Sequence, residues 1–366
     1  MRTVNLITLQ RSQGTQLIRP LAHGDIPAVA DLCERVFQGK SGLLPGKLRA
    51  YLREVFLENP WYDESMSALV CEQGERIIGF QGVVPRAMLM RGKPIRAAVC
   101  SKLMVEPESR SSLAAFHLMK RVLSGPQELT ISDLADNGGR KLWEAFGATT
   151  SFLYSIYWTR LLSPTLFAIS RLLKNQAPSL VKFFRPLSAL DTFVRRIAPF
   201  PPTVASSALE EDLTAEMLCN GLAGSTNSPA LSPEYSPHSV RWLLEMASRR
   251  EKQGALQKIL VLGPDGESAG WYIYYLKPGG VSEVLQVHAQ PASIGLVLDR
   301  LFHHAWQHGA VAVTGRMEPK FIESLWSRRC LFGLQGHWFT AFSKRSDILA
   351  AINSGEAFLT RLEGEL

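Results

Sequence analysis

Residues Val105–Leu118 read VEPESRSSLAAFHL, and this stretch decides the fold. The run before it, Ala97–Val105, is apolar and reads as a strand. The run after it places apolar side chains at helical spacing, which predicts a helix over about Ser111 to Leu123. The open first turn of such a helix presents backbone N–H groups and the positive end of the helix dipole, a ready site for phosphate. Turns that hold a phosphate usually carry glycine, so that the anion approaches without a Cβ in its way. This turn has none.

Working outward, residues 15–37 read as a short strand, a loop and a helix, with Asp25 as N-cap and Pro27 in the first turn. A second helix covers Gly46 to Phe56, and ENPWYDES (Glu58–Ser65) ends it. Strands at Ala68–Glu72 and Arg76–Pro85 flank a tight turn at Gln73-Gly74. Arg91–Pro94 then turns the chain into Ala97–Val105. Beyond the opening motif come a strand at Glu128–Ser132, a helix at Gly139–Phe146 and a strand at Thr150–Tyr157.

The second half repeats this order without clear sequence identity. Pro237–Arg250 is helical, and Lys258–Leu262 and Ser268–Leu276 flank the turn Gly263-Pro264-Asp265-Gly266. A strand at Val281–His288, a helix at Ala292–His308, a strand at Val311–Gly315, a helix at Lys320–Ser327 and a strand at Trp338–Phe342 follow. The reading is two domains of one architecture, residues 1–160 and 205–345, with a C-terminal tail at 346–366. Between them, 161–204 holds Arg171, Lys174, Lys182, Arg185, Arg195 and Arg196 against the lone acid Asp191, interleaved with Leu and Phe. Such a basic amphipathic linker packs between domains or lies on an anionic membrane face.

The bulk numbers fit this picture. The 366 residues carry 46% hydrophobic and 20% charged side chains, enough to bury real cores. The net charge of +7 suits an anionic partner such as a nucleotide cofactor. Five scattered cysteines with no C-x-x-C do not make a disulfide framework, and point to buried thiols in a reducing cytoplasm. No stretch reaches the ~18 apolar residues of a spanning helix. His304 and His308 sit four apart on a helix but lack a third ligand, so no metal site is expected. No RNA-binding signature occurs, and nucleic acid is not an expected partner.

Residues of about 15–160 resemble the GNAT N-acetyltransferases, whose members often read V-x-P-x-x-R-G-x-G-I-G at this strand–helix junction. Val105, Pro107 and Arg110 keep that pattern, while Ser111, Leu113 and Ala115 replace its glycines. Family members also show N-x-x-A-x-x-L-Y-E-K-x-G-F. This chain gives DNGGRKLWEAFGA, with Leu142, Glu144 and Gly147 in place, Trp143 in the tyrosine slot and Asp136 in the asparagine slot. The resemblance implies a mixed α/β fold of two GNAT-like acyl-CoA N-acyltransferase domains in tandem, the second diverged.

It also implies a co-substrate, acetyl-CoA or another acyl-CoA, and a set of residues to hold it: Leu103, Met104, Val105, Arg110, Ser111, Ser112, Leu113, Ala114, Ala115, Asn137 and Trp143. Ser111 and Ser112 would offer hydroxyl donors, Arg110 a charge-assisted contact, and Leu113 would turn into the core. In such enzymes an acceptor amine attacks the thioester directly, a base takes its proton, and an acid protonates the leaving thiolate. Trp143 cannot serve as that acid, since an indole N–H is not one. Asp133, at the mouth of the next strand, is the first candidate base and Asp136 the second; Glu106 is expected to face solvent. Trp61, Tyr62 and Asp63 would form an acceptor wall. The expected reaction is acyl transfer to an amine of a small molecule, amino sugar or cell-envelope precursor. The alternatives are a non-catalytic binding or scaffold protein of the same fold, and a FemABX-like transferase using aminoacyl-tRNA.

Overall fold

The computed structural model describes residues 16–37, 45–109, 113–172, 209–223 and 229–365. The chain divides into two compact units. One joins residues 1–84 to 101–125; the other joins 85–100 to 126–366.

The first unit holds β1 (Gln16–Pro20), α1 (Ile26–Phe37), α2 (Pro45–Phe56), β2 (Leu69–Gln73), the start of β3 (Arg76–Met90), the end of β4 (Lys93–Val105) and α3 (Ala114–Leu123). β1 lies antiparallel to β2, from Gln16 opposite Gln73 to Pro20 opposite Leu69. β2 and β3 form a hairpin about Gly74, whose φ of 63° is the left-handed conformation that glycine adopts freely. Helix α1 buries the apolar face its spacing predicts, Ile26, Val29, Ala30 and Cys33 among it. Asp25 does not cap α1 with its side chain. Its carboxylate accepts from Arg19 at 2.6 and 2.9 Å and from Ala22 N at 2.8 Å, which tightens the turn just before the helix. Two glycines of β3 let this layer close. A Cβ on Gly82 would lie 2.6 Å from the Phe56 ring and 2.9 Å from the Ser101 carbonyl. A Cβ on Gly79 would lie 3.1 Å from both Cys71 and Leu118.

The second unit contains β5 (Leu129–Ala135), α4 (Asn137–Ala145), β6 (Thr149–Ser151), β7 (Ile156–Leu161), α5 (Pro164–Leu172), β8 (Leu209–Asp212) and α6 (Ala215–Ala223). There follow β9 (Leu231–Pro233), α7 (Pro237–Ser248), β10 (Ala255–Leu262), β11 (Ser268–Leu276), β12 (Val281–Ala289) and α8 (Ile294–Gln307). The chain closes with β13 (Ala312–Arg316), α9 (Ile322–Ser327), β14 (Leu331–Leu334), β15 (Trp338–Phe342) and α10 (Ser346–Asn353). Residues 173–208, most of the basic segment, lie outside the described residues.

Two mixed sheets result. In this unit β4 runs parallel to β5 over Ala97–Val99 and Leu129–Ile131, and β15 lies antiparallel between β5 and β6. The other sheet has the order β14-β7-β13-β12-β11-β10-β8. Its one parallel pair is β12 with β13, from Val281 opposite Ala312 to Val284 opposite Gly315. The strand read from sequence as Thr150–Tyr157 is thus two strands with separate destinations. β6 stops after three residues, a 3-10 turn at Leu153–Ser155 redirects the chain, and β7 enters the other sheet between β13 and β14. β15, from the second half of the chain, takes the reciprocal place between β5 and β6.

Two cores back these sheets. One packs α8 against β11–β13 through Tyr272, Tyr274, Val297, Leu301 and Phe302. The other gathers Tyr154, Phe339, Ile348, Ile352 and Leu359. The end of the chain is no loose tail: α10 forms, and every residue from Ala357 to Gly364 is buried. Tyr154 donates its hydroxyl to the Ala357 carbonyl at 2.5 Å and accepts from Ala357 N at 3.2 Å. No helix among the described residues is long and apolar enough to cross a membrane.

Candidate functional site

In the first unit, the opening motif is a strand, a short turn and a helix as its sequence requires. Met104 and Ala114 are buried, while Leu103, Val105 and Ala115 are half-buried. Glu106 N donates to the Ile78 carbonyl at 2.8 Å, and Pro107–Ser109 make one 3-10 turn. Helix α3 starts at Ala114 with no side-chain cap from Leu113. Arg110, Ser111 and Ser112 lie outside the described residues.

Two expectations change here. Glu106 does not face solvent. It is 3% exposed, and its Oε1 meets Arg76 Nη2 at 2.7 Å and Arg35 Nε at 3.1 Å. The acid beside the turn is thereby neutralised. Leu113 does not enter the core: it is 63% exposed, because the helix begins one residue later and carries the apolar stripe on Ala114, Leu118 and Met119 instead.

The proposed acceptor wall is a pinned loop. Asn59 donates from Nδ2 to the Val55 carbonyl at 3.0 Å and accepts from Trp61 N at 3.0 Å. Asp63 caps the next turn, accepting from Ser65 N at 2.9 Å and Ser65 Oγ at 2.6 Å. Tyr62 is exposed and Trp61 half-buried.

In the second unit, Asp136 is the N-cap of α4, accepting from Gly139 N at 2.6 Å. Asn137 accepts from Trp338 Nε1 at 2.8 Å, and Trp143 is buried in the helix's inner face. Asp133 is 2% exposed and sits in an ion network. Its Oδ2 meets Arg316 Nη2 at 2.8 Å and also pairs with Arg361, while its Oδ1 accepts from Glu365 N at 2.9 Å. Burial by itself would raise this carboxyl. The charges of Arg361 and Arg316 and the Glu365 N–H outweigh it and hold Asp133 well below the usual carboxylate range. A carboxylate so stabilised has little proton affinity, so the geometry suits an anchor and not a base.

The tail brings a different carboxylate. Glu363 accepts from Thr360 N at 3.0 Å, from Thr360 Oγ1 at 2.5 Å, from Gln286 Nε2 at 3.0 Å and from the Tyr235 hydroxyl. Gln286 is itself fixed by Trp271 Nε1, which donates to its Oε1 at 2.8 Å. Burial pushes Glu363 up to about 8, against the Thr360 N–H and the Arg86 charge. Tyr235 is half-buried, and its hydroxyl also accepts from Gln286 Nε2 at 2.9 Å. Arg361 N and Leu362 N both donate to the Leu285 carbonyl, at 2.9 and 3.2 Å, just past the point where β12 parts from β13.

The two halves of the sequence motif therefore sit in different units, and the charged cluster of the second unit includes residues that sequence reading left in a tail. Arg361, Glu363 and Glu365 alternate with Leu362 and Gly364 after the apolar run Ala357–Leu359. The apolar run was the available signal of a buried segment.

Residues 17–129 match the family described as an acetyltransferase (GNAT) domain. The match begins at the second residue of β1 and ends at the first of β5, so the DNGGRKLWEAFGA motif lies beyond it. No curated protein matches the chain. Solved structures align over most of it. A probable N-acyltransferase, a conserved protein of unknown function from Enterococcus faecalis V583, aligns with TM-score 0.61 and 9% identity over 90% of this chain and 73% of that one. A GCN5-related N-acetyltransferase from Anabaena variabilis aligns with TM-score 0.56 and 11% identity, covering 89% and 72%. N-myristoyltransferase from Saccharomyces cerevisiae, solved with bound myristoyl-CoA, aligns with TM-score 0.50 and 10% identity, covering 89% and 78%. At these identities the likeness is one of fold, and with the domain match it gives the assignment: the chain carries, over residues 17–129, a domain of the GNAT acetyltransferase family.

Proposed function

We propose that this chain is an acyl-CoA-dependent N-acyltransferase, acting on the amine of a small molecule, an amino sugar or a cell-envelope precursor. The observation that carries the reading is the GNAT domain match, whose span includes β4 and α3. The residues around that turn fit an acyl-CoA. Small Ala114 and Ala115 stand in the first turn of the helix, and exposed Leu113 offers apolar surface beside it. Arg110, Ser111 and Ser112 would add charge and hydroxyl donors by their sequence position. The bound acyl-CoA supplies the activated thioester.

The protein's part is to position the amine and manage its proton. The amine lone pair forms a bond to the acyl carbon, the carbon–sulfur bond breaks, and the proton lost by nitrogen goes to a base. Asp133 is committed to its ion network and Asp136 to its helix cap, so neither is placed to take that proton. The basic segment 161–204 would hold the enzyme at an anionic membrane face when the acceptor is lipid-linked.

Calorimetric titration with CoA, acetyl-CoA and a longer acyl-CoA tests the reading. Micromolar binding, weakened roughly tenfold by Arg110→Ala, is the expected result. Binding without turnover on any amine would favour a scaffold of the same fold, which buried Trp143 in the tyrosine slot would also suit. No binding of any CoA species would sink the acyltransferase reading and leave the scaffold and aminoacyl-tRNA alternatives.

A further inference from the structure

A cavity of about 30 Å³ lies in the second unit, with Val287, Leu298 and Leu325 among its apolar lining and Arg316, Glu318 and Arg361 among its polar lining. Arg316 is 8% exposed. Its Nη2 is committed to Asp133, through the side chain at 2.8 Å and the carbonyl at 2.9 Å. Its Nε and Nη1 are buried and meet no hydrogen-bond partner among the described residues. A buried charged donor left unmatched is costly, and native structures keep few of them.

Arg316 and Arg361 are both buried, and both pair with the one carboxylate of Asp133. Glu283 stands 3.6 Å from Arg361 and is partly exposed. Two unmatched guanidinium donors suit a planar, negatively charged acceptor. Burial pushes Glu318 up to about 8, so at neutral pH it carries a proton it can donate. The volume has room for roughly two waters, which is the space of the two oxygens of a carboxylate and less than a phosphate needs.

We infer that this cavity binds the carboxylate of a small organic acid, with Arg316 as its cationic partner and Glu318 as a hydrogen-bond donor. On the reading of the chain as an N-acyltransferase, which this extension rests on, that carboxylate belongs to an amino acid or amino-acid-like acceptor. The site itself stands without that reading.

The test uses the full chain without any CoA species. Calorimetry and thermal unfolding are run with acetate, glycine and glycinamide at matched ionic strength in chloride. Saturable binding of acetate and glycine, and none of glycinamide, is expected. Glycine binding more tightly than acetate marks an amine-bearing acceptor; equal binding marks a free carboxylate. Val287→Leu places one more methylene at the cavity and should weaken binding about tenfold or more. Leu325→Phe, from α9, is the second variant should the first fail to fold. Absence of saturable binding, or unchanged affinity in a folded cavity-filling variant, overturns the proposal. Neither result depends on whether the chain transfers an acyl group.

Discussion

Asp133 and Glu363 show how environment sets the use of a carboxylate. Both are buried in the same unit, yet Asp133 is driven down by two guanidiniums and Glu363 is pushed up to about 8 by burial. The second fact has a stability consequence with a definite sign. Between the ordinary carboxylate range and about pH 8, the folded state keeps a proton on Glu363 that the unfolded chain has released. Stability is then fully present at low pH and is lost as pH rises through about 8. Each such group contributes a slope of about 1.4 kcal/mol per pH unit where it differs fully between the two states. Glu318, also pushed up to about 8, acts in the same direction. His288 and His304 are both pushed down to about 4 by burial and cost stability only as pH falls through their ordinary range, so the interval from pH 7 to 8 isolates the acids. Urea unfolding should show the protein less stable at pH 8 than at pH 7, and Glu363→Gln should flatten that slope. Sequence could mark Asp133 as an acid near a strand end. It could not show Arg316 and Arg361 arriving from 183 and 228 residues away.

At the scale of elements, what was legible was local. Turns at Gln73-Gly74 and Gly263–Gly266, the face of α1 and the strand–helix junction at Val105 follow from spacing and turn chemistry, and the structure keeps them. The partition of β6 and β7 was not legible, because a strand's own residues do not name its neighbour. Thr150–Tyr157 has strand character throughout, and only the pairing of β7 with β13 and β14 shows that it breaks. Short β14, with exposed Leu331 and Leu334, carried too weak an alternation to be read. The glycines of β3 give a test of element packing. Gly82→Ala sets a methyl against the Phe56 ring at 2.6 Å and the Ser101 carbonyl at 2.9 Å, where the backbone cannot yield cheaply. It should destabilise by about 1–3 kcal/mol in thermal or denaturant unfolding. Gly79→Ala, with contacts at 3.1 Å to two side chains, should cost less. Equal costs would mean that the ring of Phe56 moves aside.

At the scale of the whole molecule, the second unit is held together by its last residues. Ala357–Glu365 has little regular structure, and its backbone is satisfied by parts of the second unit that are far apart in sequence. Phe358 N donates to the Leu231 carbonyl at 2.8 Å, Arg361 N to the Leu285 carbonyl at 2.9 Å, and Glu365 N to Asp133 Oδ1 at 2.9 Å. The segment therefore links β9, β12 and β5, which makes it a strap across that unit. Phe358, Leu359 and Leu362 are buried, and burying three such side chains is worth on the order of 5–9 kcal/mol. That is comparable with the roughly 5–15 kcal/mol net stability of a whole domain. Removal of the strap also takes Arg361 away from Asp133 and so strips one partner from a buried ion network, which costs about 3–5 kcal/mol where it has been measured. A chain ended after Ser354 should therefore lose cooperative unfolding and near-ultraviolet aromatic ellipticity, with Tyr154 deprived of its Ala357 partner. The milder Arg361→Met keeps the backbone links and most of the volume, and should cost a few kcal/mol while the transition stays cooperative. A truncated chain that melts cooperatively within about 1 kcal/mol of the full one would show that the second unit folds without its strap.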